Sequence, residues 1–250
     1  MYVQTYKSKK VHAGDKLTSI LDTSLPVTIP EKSVVVVTSK IVALCENRVI
    51  TARDLHTKND LVPREADYYI EPQHNQYGFY LTIKNSILVA QAGIDASNVG
   101  GNYVLWPKNA QKSAETIWKY LRTKFKLHKL GIIITDSRLS PLRWGTTGVA
   151  IGYCGFSALN DYRGKPDIFG RPLKFTQTAV SDGLAASAVV VMGEGNEQTP
   201  LAVITNVPFV KFLSRVPSKT ELKNLQISLK EDVFSPLLDS PLWKKGRGGK

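Results

Sequence analysis

Four consecutive valines, set as Ser33-Val34-Val35-Val36-Val37-Thr38, constrain the fold more than any other feature of this chain. A β-branched run without polar alternation suits a strand buried on both faces, and such a strand needs a layer of structure on each side. A second run, Ile132 to Thr135 within "LGIIITD", makes the same demand, and Ile87 to Ala90 reads as another buried strand. Between them, Ala114, Ile117, Leu121 and Phe125 recur at helical spacing, with Pro107 and Asn109 as start signals, so an amphipathic helix is expected over 110–126. Strands and helices alternate through the first half of the chain, which places it in the α/β class, in a mixed α+β arrangement.

The remaining elements are shorter. Tyr2 to Tyr6 is strand-like, Leu17, Ile20 and Leu21 share one face of a short helix, and Leu201 to Ile204 is strand-like. Ser181 to Met192 carries small and apolar residues suited to close helix packing, with Leu184, Ala188 and Val191 in the core. Ser218 and Glu221 have the spacing of a capping box. Residues 51–86 are polar and mixed and fit no single element; they suit a cap, a lid or a subunit contact. The last half-dozen residues, basic and glycine-rich, are expected to be disordered.

A net charge of +12 over 250 residues is compatible with nucleic acid or with small polyanionic ligands. The basic residues are scattered, with no RNP-like motif, zinc finger or helix-turn-helix, and the lysines between 119 and 129 read as a solvated helix face. Nucleic acid is therefore disfavoured. No basic-then-apolar leader follows Met1, and no apolar run approaches the roughly 20 residues of a membrane span, so the expected location is the cytoplasm, away from membranes. Cys45 and Cys154 have no metal or disulfide spacing and are expected as buried thiols; His12, His56, His74 and His128 are expected at the surface.

Three strand ends deliver polar groups: Thr38-Ser39-Lys40, Asp95 with Asn98, and Asp136 with Ser137. Hard oxygen ligands with few histidines match Mg²⁺ or Mn²⁺ shared with phosphate oxygens, and a lysine from a neighbouring strand end can meet the phosphates. After Asp136 come Arg138, Arg143 and a glycine-rich stretch, in which Gly145, Gly148 and Gly152 either bring backbone amides close to an anion or mark tight turns. The arrangement suits a metal–nucleotide site. There is no GxxxxGK[ST], no GxGxxG after a strand, and no Ser-His-Asp or Cys-His set.

The ordered motifs "VVVVTSKIVALCENRVI", "QAGIDASN", "IIITDSRLSPLRWGTTGVAIGYCGF", "LNDYRGKPDIFGRPL" and "MGEGNEQTP" resemble the coenzyme F-420-0:gamma-L-glutamate ligase family, including members proposed to act on folates, over about residues 8–207. The resemblance implies a two-part mixed-sheet fold in an intertwined homodimer. It also implies a ligase that joins L-glutamate to a carboxylate acceptor, F-420-0 or a folate, through an acyl-phosphate. GTP or ATP would be co-substrate, Mg²⁺ or Mn²⁺ the cofactor, and K⁺ a further candidate cation. Carried over residue by residue, Asp95, Asp136, Ser137 and Glu194 would hold metal, with Asp95, Asp136 and Arg143 in the catalytic set. Ser8, Lys9, Lys10, Val11, Ser39, Lys40, Asn98 and Gly195 would contact nucleotide. The ligase-like domain would span 1–217, divisible into two subdomains, with a helix-like segment and basic tail over 218–250.

Two departures stand out. Leu44 occupies the region where the family commonly has a second lysine, and the acidic pair expected in the 181–192 helix is reduced to Asp182-Gly183. They suggest a divergent branch and leave open a non-catalytic nucleotide- or polyanion-binding relative. The two aspartates and Asn98 favour catalysis.

Overall fold

The computed structural model describes residues 1–51 and 58–249. The first half contains β1 (Tyr2–Tyr6), α1 (Leu17–Ser24), β2 (Ser33–Thr38), α2 (Ser39–Cys45), β3 (Val49–Ile50), α3 (Lys58–Glu65), β4 (Tyr68–Ile70), β5 (Leu81–Lys84), β6 (Ile87–Ala90), β7 (Tyr103–Val104) and α4 (Ala110–Phe125). The second contains β8 (Leu130–Leu139), β9 (Thr146–Cys154), β10 (Leu159–Asp161), β11 (Gln177–Ala179), α5 (Val180–Met192), β12 (Leu201–Thr205), α6 (Lys219–Asn224), α7 (Ser235–Leu238) and β13 (Lys244–Lys245).

A five-stranded sheet in the order β1-β12-β2-β8-β9 forms the centre; β2 and β8 run parallel and the other pairs antiparallel. The valine run is covered on both sides, as its composition demands. Val35, Val37, Ile132 and Ile134 face a core completed by Ile20 and Leu21 of α1 and by Ala114, Ile117 and Leu121 of α4. Val34, Val36 and Ile133 face Leu184, Ala185 and Ala188 of α5. Alternation along a strand sends neighbours to opposite faces, so a continuous apolar run serves two cores at once. Helix α4 starts where its cap signal lies, with the Asn109 side chain accepting from the Lys112 amide at 2.9 Å. The capping box of Ser218 and Glu221 also forms.

The glycines of β9 serve packing. A Cβ on Gly148 would lie 2.5 Å from the carbonyl oxygen of Ala185 in α5, and one on Gly152 would lie 2.5 Å from that of Ala110 in α4. These helices cover opposite faces of the sheet, yet positions 148 and 152 would share a face in a regular strand. A β-bulge reconciles the two. Ile134 pairs with Gly152 and Thr135 with Ala150, leaving Ile151 as the extra residue that switches the facing. Asp182 accepts from the amide of Ala150 at 3.1 Å, which answers a donor at the bulge. The proposed use of Gly148 and Gly152 at an anion is therefore corrected, since both are filled by helix backbone.

A smaller sheet, ordered β13-β4-β5-β6, takes β4 and β5 from the segment that the sequence left unassigned and adds β6 and β13. Strand β6 lies at its edge and is half-buried, not the fully buried strand expected from its composition. Leu61, Val62 and Ala66 pack with Ala92, Ile94 and Leu105 in a separate core. Beside it, Glu65 accepts from Lys84 at 2.7 Å and from Arg48 at 3.0 Å, with Glu65 and Lys84 both buried.

The expectation of a disordered tail fails. Lys244 and Lys245 pair with Tyr69 and Tyr68, and the amides of residues 246–249 donate to the carbonyls of Asp67, Pro63, Ala66 and Arg64. The tail thus caps the end of α3, whose last carbonyls have no partner inside the helix. Gly246 is required there, because a Cβ would sit 2.1 Å from the Ala66 oxygen. Cys154 is buried and Cys45 only half-buried; burial pushes their thiols up to about 12 and about 11. His12, His74 and His128 are exposed, and His56 lies outside the described residues.

Candidate active site

A cleft of about 1430 Å³ opens between the central sheet and the smaller one. Its position follows from topology. Because β2 and β8 are parallel neighbours, Thr38 pairs with Thr135, and the polar residues just past that last pair emerge side by side. Thr38, Ser39 and Lys40 contribute one part of the wall and Asp136 to Leu139 the next. The 95–100 loop faces them, and residues 193–200 after α5 close one end.

The two aspartates stand in different surroundings. Asp136 accepts through Oδ2 from the indole N–H of Trp106 and is also hydrogen-bonded by the Ser39 side chain and the Ser137 backbone. Burial raises its carboxyl to about 6, against those hydrogen bonds and with help from the charge of Asp95. Burial acts on Asp95 in the same direction, but Lys40 at 2.6 Å and the amide of Ser97 at 2.7 Å outweigh it and hold this carboxyl below its ordinary value. Lys40 also donates to the Ser97 carbonyl at 3.1 Å, which ties the end of β2 to the 95–98 loop.

The remaining candidates are distributed around this pair. Glu194 accepts from Ser137 Oγ at 2.5 Å and from Thr146 Oγ1 at 3.2 Å. Asn98 donates to the carbonyl of Gly195 at 3.1 Å, joining the two loops across the cleft. Ser8, Lys9, Lys10 and Val11 line the rim, with the Ser8 amide donating to Gln198 at 3.1 Å. Arg143 is not brought in: it sits on the exposed turn between β8 and β9, next to Leu142 and Trp144. Asp161 and Asp167, the other acids interleaved with arginines, serve local turns through Arg163, Phe169 and Arg171.

Several cleft residues gave no sequence signal. Lys58, at the start of α3, lines the cleft, and burial lowers its pKa while the charge of Asp95 opposes the change. Trp106 reads in sequence only as a core aromatic, yet its polar end meets Asp136. Gly93, at φ 69°, has no room for a Cβ, which would fall 2.1 Å from the indole nitrogen; Arg48 Nε donates to the Trp106 carbonyl at 3.1 Å. The sequence could have offered only the glycine two residues before Asp95.

The donor set is one of hard oxygens. Among the described residues, no group of three or more His, Cys, Asp and Glu converges as a ready-made cage. Mg²⁺ is commonly held by one or two carboxylates together with substrate phosphates and water, so Asp95, Asp136 and the Ser137 hydroxyl fit such an ion. Asp136 also keeps Oδ1 clear of the Trp106 hydrogen bond. Lys40, Lys58 and the rim lysines supply the positive field that a polyphosphate needs. No helix among the described residues is long and apolar enough to cross a membrane.

Comparison with known proteins shows the family. The family model described as F420-0:Gamma-glutamyl ligase matches residues 6–206. The coenzyme F420:L-glutamate ligase of Methanococcus maripaludis is 34% identical over 220 residues, covering 82% of this chain and 86% of the relative. The protein of the same name from Methanocaldococcus jannaschii is 44% identical over 128 residues, 50% of this chain and 51% of its own. That from Methanopyrus kandleri is 31% identical over 210 residues, 78% and 82% of the two chains.

Proposed function

The chain belongs to the F420-0:gamma-glutamyl ligase family and is an amide-forming ligase, and on that footing we propose that it adds L-glutamate to the carboxylate of F420-0 at the expense of a nucleoside triphosphate. The observation that carries this reading is the meeting of Asp95, Asp136, Lys40 and Ser137 in one cleft. A carboxylate does not yield to an amine until its oxygen is made a leaving group. Transfer of the terminal phosphoryl to the acceptor does this, and attack by the glutamate amine then releases phosphate and forms the amide.

The chain's own residues divide the work. Lys40 and Lys58 offset phosphate charge, Asn98 fixes the loop that meets the nucleotide, and Ser39 and Trp106 orient the Asp136 carboxylate. Mg²⁺ or Mn²⁺, held by Asp95, Asp136 and Ser137 with Glu194 behind Ser137, would supply charge stabilisation for phosphoryl transfer. GTP and ATP both remain candidates, as does K⁺ beside the divalent ion. The apolar stretch of wall with Phe79, Val89 and Leu139 suits a flat acceptor ring, which admits a folate as the alternative acceptor. Leu142 and Trp144, both more than nine-tenths exposed, suit a homodimer contact, and Arg143 lies between them.

Mass spectrometry tests the reading. Purified protein would be incubated with L-glutamate, Mn²⁺ or Mg²⁺, GTP or ATP, and either F420-0 or a reduced folate. A gain of one or more glutamyl units on F420-0 is expected, dependent on nucleotide and metal; a gain on folate alone would replace the acceptor. No gain on either would overturn the assignment of both acceptors.

A further inference from the structure

Two buried polar atoms in the cleft wall have no hydrogen-bond partner among the described residues: Nε of Arg138 and Oε1 of Gln91. Unsatisfied buried groups are rare in folded proteins and call for a ligand or an ordered water. The first is a donor and the second an acceptor. Arg138 has no ion pair with any described residue, although Asp95, Asp136 and Glu194 all line the same cleft. Lys40, by contrast, is already engaged by Asp95.

Their placement is specific. Arg138 follows Asp136 by two positions on β8, so alternation puts both on one face, about 6.6 Å apart along the strand. Gln91 follows the end of β6 and has φ 57°, with Ala92 at 54° and Gly93 at 69° behind it. A non-glycine residue holds that left-handed conformation only where its surroundings enforce it. Here the Gln91 amide donates to Tyr80 at 2.9 Å and its carbonyl accepts from Ile94 at 3.0 Å. The strained turn delivers an unpartnered amide oxygen to the cleft wall.

Resting on the ligase reading above, we propose that Arg138 and Gln91 form the subsite for the amino-acid substrate. The guanidinium pairs with a carboxylate of an α-amino dicarboxylate, and Gln91 Oε1 accepts an N–H of its amine, leaving the nitrogen lone pair free to attack. A guanidinium suits this task because its planar donors match the two oxygens of a carboxylate. A phosphate role is less well served at this position: Lys40 lies at the Thr38–Thr135 end of the cleft, three residues back along β8 from Arg138.

The test is steady-state kinetics on R138M, R138K and Q91L, with nucleotide KM and Mn²⁺ affinity measured alongside. R138M should raise KM for L-glutamate about 10- to 100-fold, and R138K and Q91L by less, while the nucleotide and Mn²⁺ constants stay within about twofold. 4-Aminobutyrate lacks the α-carboxylate and L-2-aminobutyrate lacks the γ-carboxylate. The analogue whose disadvantage against L-glutamate collapses in R138M identifies the carboxylate that Arg138 holds. An unchanged glutamate KM, or a rise in nucleotide KM in its place, overturns the proposal and marks Arg138 as a phosphate or structural residue. Should wild type form no amide with any acceptor, saturation-transfer NMR of L-glutamate on the Mn²⁺- and nucleotide-loaded protein separates the two readings. Glutamate binding that R138M and R138K weaken sustains the subsite; equal binding, or none to wild type, removes it.

Discussion

The two walls of the cleft are built by different means. Asp136 projects from the central sheet, on β8 one residue past its pairing with β2 and hydrogen-bonded to β9. Asp95 stands on a loop held by an isolated bridge to Val104 and by Lys40. Burial raises the first carboxyl, whereas ion pairing lowers the second. The sheet therefore supplies position at the cost of desolvation, and the loop supplies charge compensation with less rigid support. The smaller sheet behind that loop adds a buried ion cluster and a docked tail to a small apolar core, where the central sheet is covered by apolar packing on both faces.

Four experiments would break or sharpen this contrast. The largest effect is expected from Asp136→Asn, which should reduce ligation on the order of 10³-fold because the proposed metal loses its ligand on the wall that fixes geometry. Asp95→Asn should cost about 10²-fold, since Lys40 is then freed to meet phosphate; equal losses would erase the distinction between the walls. Next comes Lys84→Met, which leaves the buried Glu65 with Arg48 alone and should destabilise by about 3 kcal/mol in urea unfolding. An unchanged urea midpoint would show that apolar packing, not the ion cluster, holds the smaller sheet.

The smallest effect concerns pH. Folded Asp136 titrates at about 6, above its ordinary value of 3.8, so between about pH 4 and 6 the folded state binds more protons than the unfolded one. Stability without metal should fall as pH rises through that window, by up to about 3 kcal/mol from this residue, and Asp136→Asn should lack the dependence. Asp95 has the opposite sign: its stabilisation is present above the ordinary carboxylate pKa and is lost as pH falls through its lowered one. Thermal unfolding of wild type and both variants from pH 2.5 to 7.5 would distinguish them; a flat difference between wild type and Asp136→Asn would remove the desolvated carboxylate from the account.

Much of the central wall was legible in the residues. The valine run, the isoleucine run, the Asn109 cap and the capping box at Ser218 each formed where local chemistry placed them. The motif match also selected positions that the fold assembles in one cleft, Arg143 excepted. Residues 51–86 could not be read, because β4 and β5 are short strands whose stability comes from pairing: β5 with β6 just after it, and β4 with β13 in the distant tail. The tail looked disordered for the same reason: its hydrogen-bond partners lie some 180 residues earlier in sequence.

Sequence by itself determined the elements whose stability is local or whose burial is written in composition: apolar strands, an amphipathic helix, caps, and a set of hard-oxygen and basic groups at strand ends. Tertiary structure alone decided what those groups meet. The parallel pairing of β2 with β8 put Ser39 beside Asp136, and a bulge turned Gly148 and Gly152 toward different helices. Distant β7 and its neighbours brought Trp106 to a carboxylate and left Arg138 and Gln91 without partners. Desolvation and hydrogen bonding depend on contacts between residues far apart in the chain, and a one-dimensional pattern does not record which of those contacts form.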